Sequence, residues 1–153
     1  MIVTFTPNPS LDRTVTLPGP LLRGAVNRLT SVRLEAGGKG VNVARVLAAS
    51  GEAVTTLLPA SSHDPILPAI ADLGLDILTC RPVPVRGAAR VNTAVTEPDG
   101  TTTKLNEAGA GLSEAEIANV EAALLEVLAP ATRDSESSSW RSEERRVGKE
   151  CRS

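Results

Sequence analysis

Apolar and polar positions change period several times along the chain, and each change marks an element. Ile2 to Thr6 is a short β-branched and aromatic run closed by Pro7 and Pro9. It predicts a buried strand, then a loop carrying Asn8 and Asp12. Residues 26–38 alternate loosely and suit extended structure. From Val41 the period becomes helical, with Val43, Val46 and Leu47 expected on one face and Gly51 as the C-terminal stop. Residues 53–60 give the next strand. Residues 65–73 give a helix with Pro68 in its first turn, followed by another strand.

Two later segments carry stronger local signals. In "ARVNTAVTEPDGTTTKLNEAG", runs rich in Val and Thr flank Pro98-Asp99-Gly100, which is turn chemistry and predicts a β-hairpin over about residues 88–106. In "LSEAEIANVEAALLEVLAP", Ser113 and Glu116 have the spacing of a capping box. Ile117, Val120, Leu124 and Leu128 form the expected apolar stripe of this helix, and Pro130 its expected end. Strands alternating with helices predict an α/β layered domain with a mainly parallel sheet. The hairpin breaks that alternation, as an antiparallel excursion suited to a lid or a dimer contact.

Composition narrows the function. Hydrophobic residues make up 41% of the 153, but aromatic residues only 1%, so the core has to be aliphatic and stacking platforms for single-stranded nucleic acid are missing. A formal net charge of −2 argues against a nucleic-acid partner held by electrostatics. No apolar run reaches membrane-spanning length, and the N-terminus lacks the pattern of a signal peptide. Cys80 and Cys151 lie too far apart to suggest a zinc site or a disulfide framework, so a reduced, cytoplasmic setting is expected. His63 reads as a surface loop residue, and no metal cluster or Ser-His-Asp arrangement is legible.

The stretch "GGKGVNVARVLAASG" is the densest in chemistry. A Walker loop would need glycine at position 33 and Ser or Thr at position 40, where Arg33 and Gly40 stand. The dinucleotide fingerprint would need glycine at position 43, where Val43 stands. With both nucleotide motifs excluded, the loop still offers close backbone approach, helix N–H groups, the Lys39 charge and the Asn42 amide. Those groups suit a polyhydroxylated anion. The same spacing also suits a tight strand-to-helix turn with a solvated lysine.

"TFTPNPSLD", then "GGKGVNVARVLAASG", then the hairpin segment resemble, in that order, the N-terminal half of the PfkB carbohydrate kinase family. The resemblance covers residues 1–140 and implies a ribokinase-like three-layer fold with a mainly parallel sheet and a small β lid, cut to its N-terminal half. It implies ATP-dependent phosphorylation of a sugar phosphate. Fructose 1-phosphate, giving fructose 1,6-bisphosphate, is the first substrate implied; tagatose 6-phosphate and fructose 6-phosphate stand beside it. A non-catalytic sugar-phosphate-binding or dimerisation module is the alternative outside that class. The resemblance assigns Asp12 to the sugar hydroxyls, Gly37, Gly38 and Asn42 to sugar contacts, Lys39 to phosphate or hydroxyls, and Arg90 to the existing phosphate. Lys104 and Asn106 on the return strand are weaker candidates for the same region. A homodimer through the lid hairpin is a further implication.

The family's catalytic base is an aspartate in a G-x-G-D motif, which this sequence does not contain. ATP and Mg2+ are therefore expected in the full-length parent only, with no catalytic residue and no metal ligand here, and the chain alone is expected to be unstable and inactive. Residues 141–153 differ in composition from the rest, and Arg141 to Cys151 resemble the in-frame translation of a sequencing adapter. That run, carrying a net charge of +2 and leaving −4 on residues 1–140, is read as a non-native tail.

Overall fold

A computed structural model describes residues 2–139, with side chains described to residue 129. Seven strands and three helices follow one another as β1 Ile2–Phe5, β2 Ser10–Thr16, β3 Ser31–Gly37, α1 Lys39–Ala49, β4 Val54–Ala60, α2 Ile66–Ala71, β5 Leu78–Pro84, β6 Arg90–Thr96, β7 Thr102–Asn106 and α3 Glu114–Ser139. They form two sheets. The first is all parallel, in the order β1-β4-β5; the second is mixed, in the order β3-β2-β6-β7.

The parallel sheet is the middle of three layers. Its strands alternate core-facing residues between two sides. Leu58 and Ala60 pack with Val41 of α1 and with Ile66 and Ile70 of α2 on one side. Leu57 and Val83 pack with Val120 and Val127 of α3 on the other, with Val3 and Phe5 beside them. The expected α/β class and layered architecture are therefore present.

The faces of two helices differ from expectation. Helix α1 buries Gly40, Val41, Ala44 and Ala48, while Val43 is 51% and Val46 62% exposed. Small residues on the inward face let the helix axis approach the sheet. At Gly40 an added Cβ would stand 2.5 Å from the Phe5 carbonyl oxygen, which leaves no room for a larger side chain. Helix α1 stops where expected, with Gly51 at φ 90 supplying the left-handed turn. In α3 the buried stripe is Val120 and Val127, with Ile117 and Leu128 exposed, and the helix runs past Pro130 to Ser139. An interior proline removes one helical hydrogen bond and bends the axis, and the residues after it, free of glycine, continue the turn.

The lid is larger than a hairpin. The expected β6–β7 hairpin forms around Glu97–Gly100, with Gly100 at φ 89. Strand β2 pairs parallel with β6, and β3 pairs antiparallel with β2, which completes a four-stranded sheet. Asp12 therefore lies on a strand rather than in a loop, because Ser10 to Thr16 find partners on both sides. The lid's own apolar cluster is Val15, Leu17 and Val95, covered by Leu21. The tail at 141–153 lies outside the described residues.

Candidate substrate site on the polar face of the lid

Register puts distant residues of the sequence on one face of the lid sheet. Gly37, Ser10 and Arg90 are aligned across β3, β2 and β6. Two residues further along, Glu35, Asp12, Asn92 and Asn106 are aligned across all four strands. Because side chains alternate with period 2, these adjacent rungs share a face. Asp12, Gly37, Arg90 and Asn106 were each expected at the site and are brought together here, and Lys104 lies one rung beyond.

Hydrogen bonds orient this face. The Asp12 carboxylate accepts from the Ser10 hydroxyl at 3.0 Å and from the Asn92 side-chain amide at 3.1 Å. A Cβ on Gly37 would overlap that carboxylate, so glycine is what lets Asp12 sit against the β3 backbone. Glu35, next to Asp12 in the register, is occupied by Arg33 at 2.9 Å and Arg45 at 3.8 Å. On this face of the lid, two polar atoms are buried with no partner among the described residues: Nε of Arg90 and the side-chain oxygen of Asn92. A buried group without a hydrogen bond is costly, so both are positioned to meet a ligand or water.

Two clefts open beside these atoms. One, about 240 Å³, is lined on the lid by Asp12, Asn92, Lys104 and Asn106. The other, about 210 Å³, lies between Thr6–Asn8, the Gly38-Lys39-Gly40 turn and Arg90. Gly38 takes φ 112 as the residue before α1, and no side chain caps the helix there. The Val41 N–H is satisfied by the hydroxyl of Thr6, the residue just after β1, at 3.0 Å. Lys39 is exposed at the mouth of the second cleft, and Asn42 is exposed on α1 and lines neither cleft. Asn92 joins this candidate face through its bond to Asp12 and its place in the first cleft. Its only signal in the sequence was a polar side chain two positions after Arg90, on the same face of a strand.

Among the described residues the chain crosses between body and lid four times, and one carboxylate, Glu116, pins the two later crossings, β5–β6 and β7–α3. Glu116 accepts from the Arg86 N–H at 2.8 Å and from the Ser113 N–H and hydroxyl, each at 2.8 Å. Those contacts, led by the Ser113 backbone and then Arg86, pull its pKa down to about 2. Asn8 donates to the Ala108 carbonyl at 3.1 Å across the same neck. Among the described residues, no group of three or more His, Cys, Asp or Glu comes together to hold a metal ion.

The four-stranded lid sheet on a three-layer body, with this polar face turned to a glycine turn, gives the chain a ribokinase-like fold similar to the N-terminal part of PfkB-type carbohydrate kinases. Relatives that it matches include 1-phosphofructokinases. The enzyme from Rhodobacter capsulatus is 40% identical over 131 residues, covering 84% of this chain and 40% of the relative. That from Vibrio cholerae is 34% identical over 125 residues, covering 80% and 38%. Among solved structures, phosphofructokinase-2 from Escherichia coli in complex with fructose-6-phosphate superposes with a TM-score of 0.73 at 30% identity, covering 82% of this chain and 41% of that one. A possible 1-phosphofructokinase from Thermotoga maritima has the same TM-score at 21% identity, a likeness of fold alone. No family model matches the chain. The chain spans about two-fifths of the length of the curated relatives it matches.

Proposed function

We propose that this chain binds the acceptor sugar phosphate of a kinase whose full-length form transfers a phosphoryl group from ATP. Fructose 1-phosphate is the substrate, and fructose 1,6-bisphosphate the product. The observation that carries this reading is the unpartnered Arg90 Nε beside the glycine turn, one rung from the Asp12–Asn92 pair. A guanidinium presents paired donors that match phosphate oxygens. A carboxylate and a carboxamide side by side accept and donate to adjacent hydroxyls. Lys39 at the mouth of the cleft adds positive charge, and Lys104 and Asn106 extend the polar wall.

ATP supplies the phosphoryl group and Mg2+ neutralises its phosphates in such chemistry, with a carboxylate taking the proton from the attacking hydroxyl. Among the described residues no acidic cluster is present for the ion, and Asp12, whose Oδ1 accepts from Ser10 and Asn92, is read as a ligand of the sugar hydroxyls and not as that base. We accordingly assign transfer to the full-length parent, in a cytoplasmic setting, and read the chain alone as inactive.

Calorimetric titration of the chain with fructose 1-phosphate, fructose 6-phosphate, tagatose 6-phosphate and inorganic phosphate tests the reading. Tightest binding of fructose 1-phosphate supports it; equal binding of inorganic phosphate overturns it. Preference for fructose 6-phosphate favours the second reading, which the complex of the 30%-identical Escherichia coli phosphofructokinase-2 supports. Turnover of ATP and fructose 1-phosphate by the chain alone would overturn the inactivity. The exposed Val32, Leu34 and Leu105 lie on the lid's apolar face and support a homodimer through the lid, which sedimentation of the parent would detect.

A further inference from the structure

We propose that Asp64 is a positioning residue for Arg90, acting through the backbone and leaving the guanidinium free for an anion. This rests on the reading of Arg90 as the phosphate-binding residue. Asp64 is 2% exposed, at the start of α2 and far from either cleft in sequence. A buried carboxylate survives only when its oxygens are hydrogen-bonded. Oδ1 accepts from the Ile66 N–H at 3.0 Å, a local turn in which serine or asparagine would serve as well. Oδ2 crosses 25 residues to the Ala89 N–H at 2.7 Å, the residue immediately before Arg90.

The other side of Arg90 is held in the same way. Glu107 accepts from the Val91 N–H at 2.8 Å. Ala89 and Val91 turn their side chains to the apolar core, which sends the Arg90 side chain to the opposite face. There the register sets it beside Ser10. Neither carboxylate forms an ion pair with Arg90 among the described residues, and its Nε has no partner. Two acids thus fix the backbone on both shoulders of the arginine without neutralising it. A carboxylate on the guanidinium itself would compete with an incoming phosphate; one on the neighbouring amide orients the side chain at no such cost.

Asp64→Ser tests this, because the hydroxyl keeps the local turn to Ile66 and drops the reach to Ala89. Amide and guanidinium exchange with water, followed by NMR on the 153-residue chain, needs no ligand. The expected result is exchange about tenfold faster at the Ala89 N–H and the Arg90 Nε–H, with Leu57 and Leu58 in the parallel sheet unchanged. Faster exchange at Ala89 alone, or loss of protection throughout the sheet, makes Asp64 a structural residue only and overturns the proposal. In a double-mutant cycle, Asp64→Ser is expected to weaken fructose 1-phosphate binding about fivefold when Arg90 is present, and not in the Arg90→Ala background. Equal loss in both backgrounds overturns it. An unmutated chain that does not bind fructose 1-phosphate overturns the function reading instead, and the exchange measurement then decides the positioning role.

Discussion

Asn92 donates its side-chain amide to Asp12 across the β2–β6 pairing at 3.1 Å, and its own side-chain oxygen is buried with no partner. One residue thus orients the carboxylate and offers an acceptor beside it. Asn92→Ala removes both, and is expected to weaken fructose 1-phosphate binding about tenfold, the worth of one or two hydrogen bonds. Calorimetric titration checks it, with unchanged affinity as the outcome that removes Asn92 from the site.

Gly37 is fixed by contact rather than by its dihedral angle. A methyl group there would overlap the Asp12 carboxylate and stand 2.7 Å from the Ser10 hydroxyl. Gly37→Ala is expected to leave no detectable sugar-phosphate binding at a ligand concentration about tenfold above the wild-type dissociation constant, while costing about 1–3 kcal/mol of stability. Gly111→Ala, where an added Cβ meets nothing within 4 Å, is the control and is expected to leave affinity unchanged.

The bond from the Val41 N–H to the Thr6 hydroxyl ties the first turn of α1 to the residue just after β1. Thr6→Val keeps the shape and leaves that N–H buried and unpaired. Urea denaturation is expected to show a loss of about 1–2 kcal/mol with no change in slope.

Acid should loosen the neck of the lid. Folding depresses the Glu116 pKa from 4.5 to about 2, so its stabilising contribution is complete above about pH 4.5 and is lost as the pH falls toward 2. Over that window Glu116→Gln is expected to lose less stability than the unmutated chain. Parallel acid-unfolding curves for the two proteins would refute the role of this carboxylate.

Local chemistry accounts for what was legible. The hairpin follows from Pro98-Asp99-Gly100, and the structure adds the Asp99 carboxylate accepting from the Thr101 N–H at 2.9 Å. The α3 start follows from Ser113 and Glu116, whose carboxylate then does a second task at Arg86 that no spacing could foretell. Asp12, Gly37 and Arg90 were each expected at the site, whereas Asn92 and Asp64 were not, because their partners lie 80 and 25 residues away.

The sequence by itself determined the elements whose signals act over a few residues: the first strand, the hairpin turn, the α3 cap and the glycine stop of α1. Tertiary structure decided what pairs with what. Strand β2 enters between β3 and β6, and that insertion alone lines Asp12 up with Asn92 and Ser10 with Arg90. It also chose the inward face of α1, burying Gly40, Ala44 and Ala48 in place of Val43 and Val46. Close approach of helix to sheet rewards small side chains at the contact, which a hydrophobic pattern read along the chain does not register.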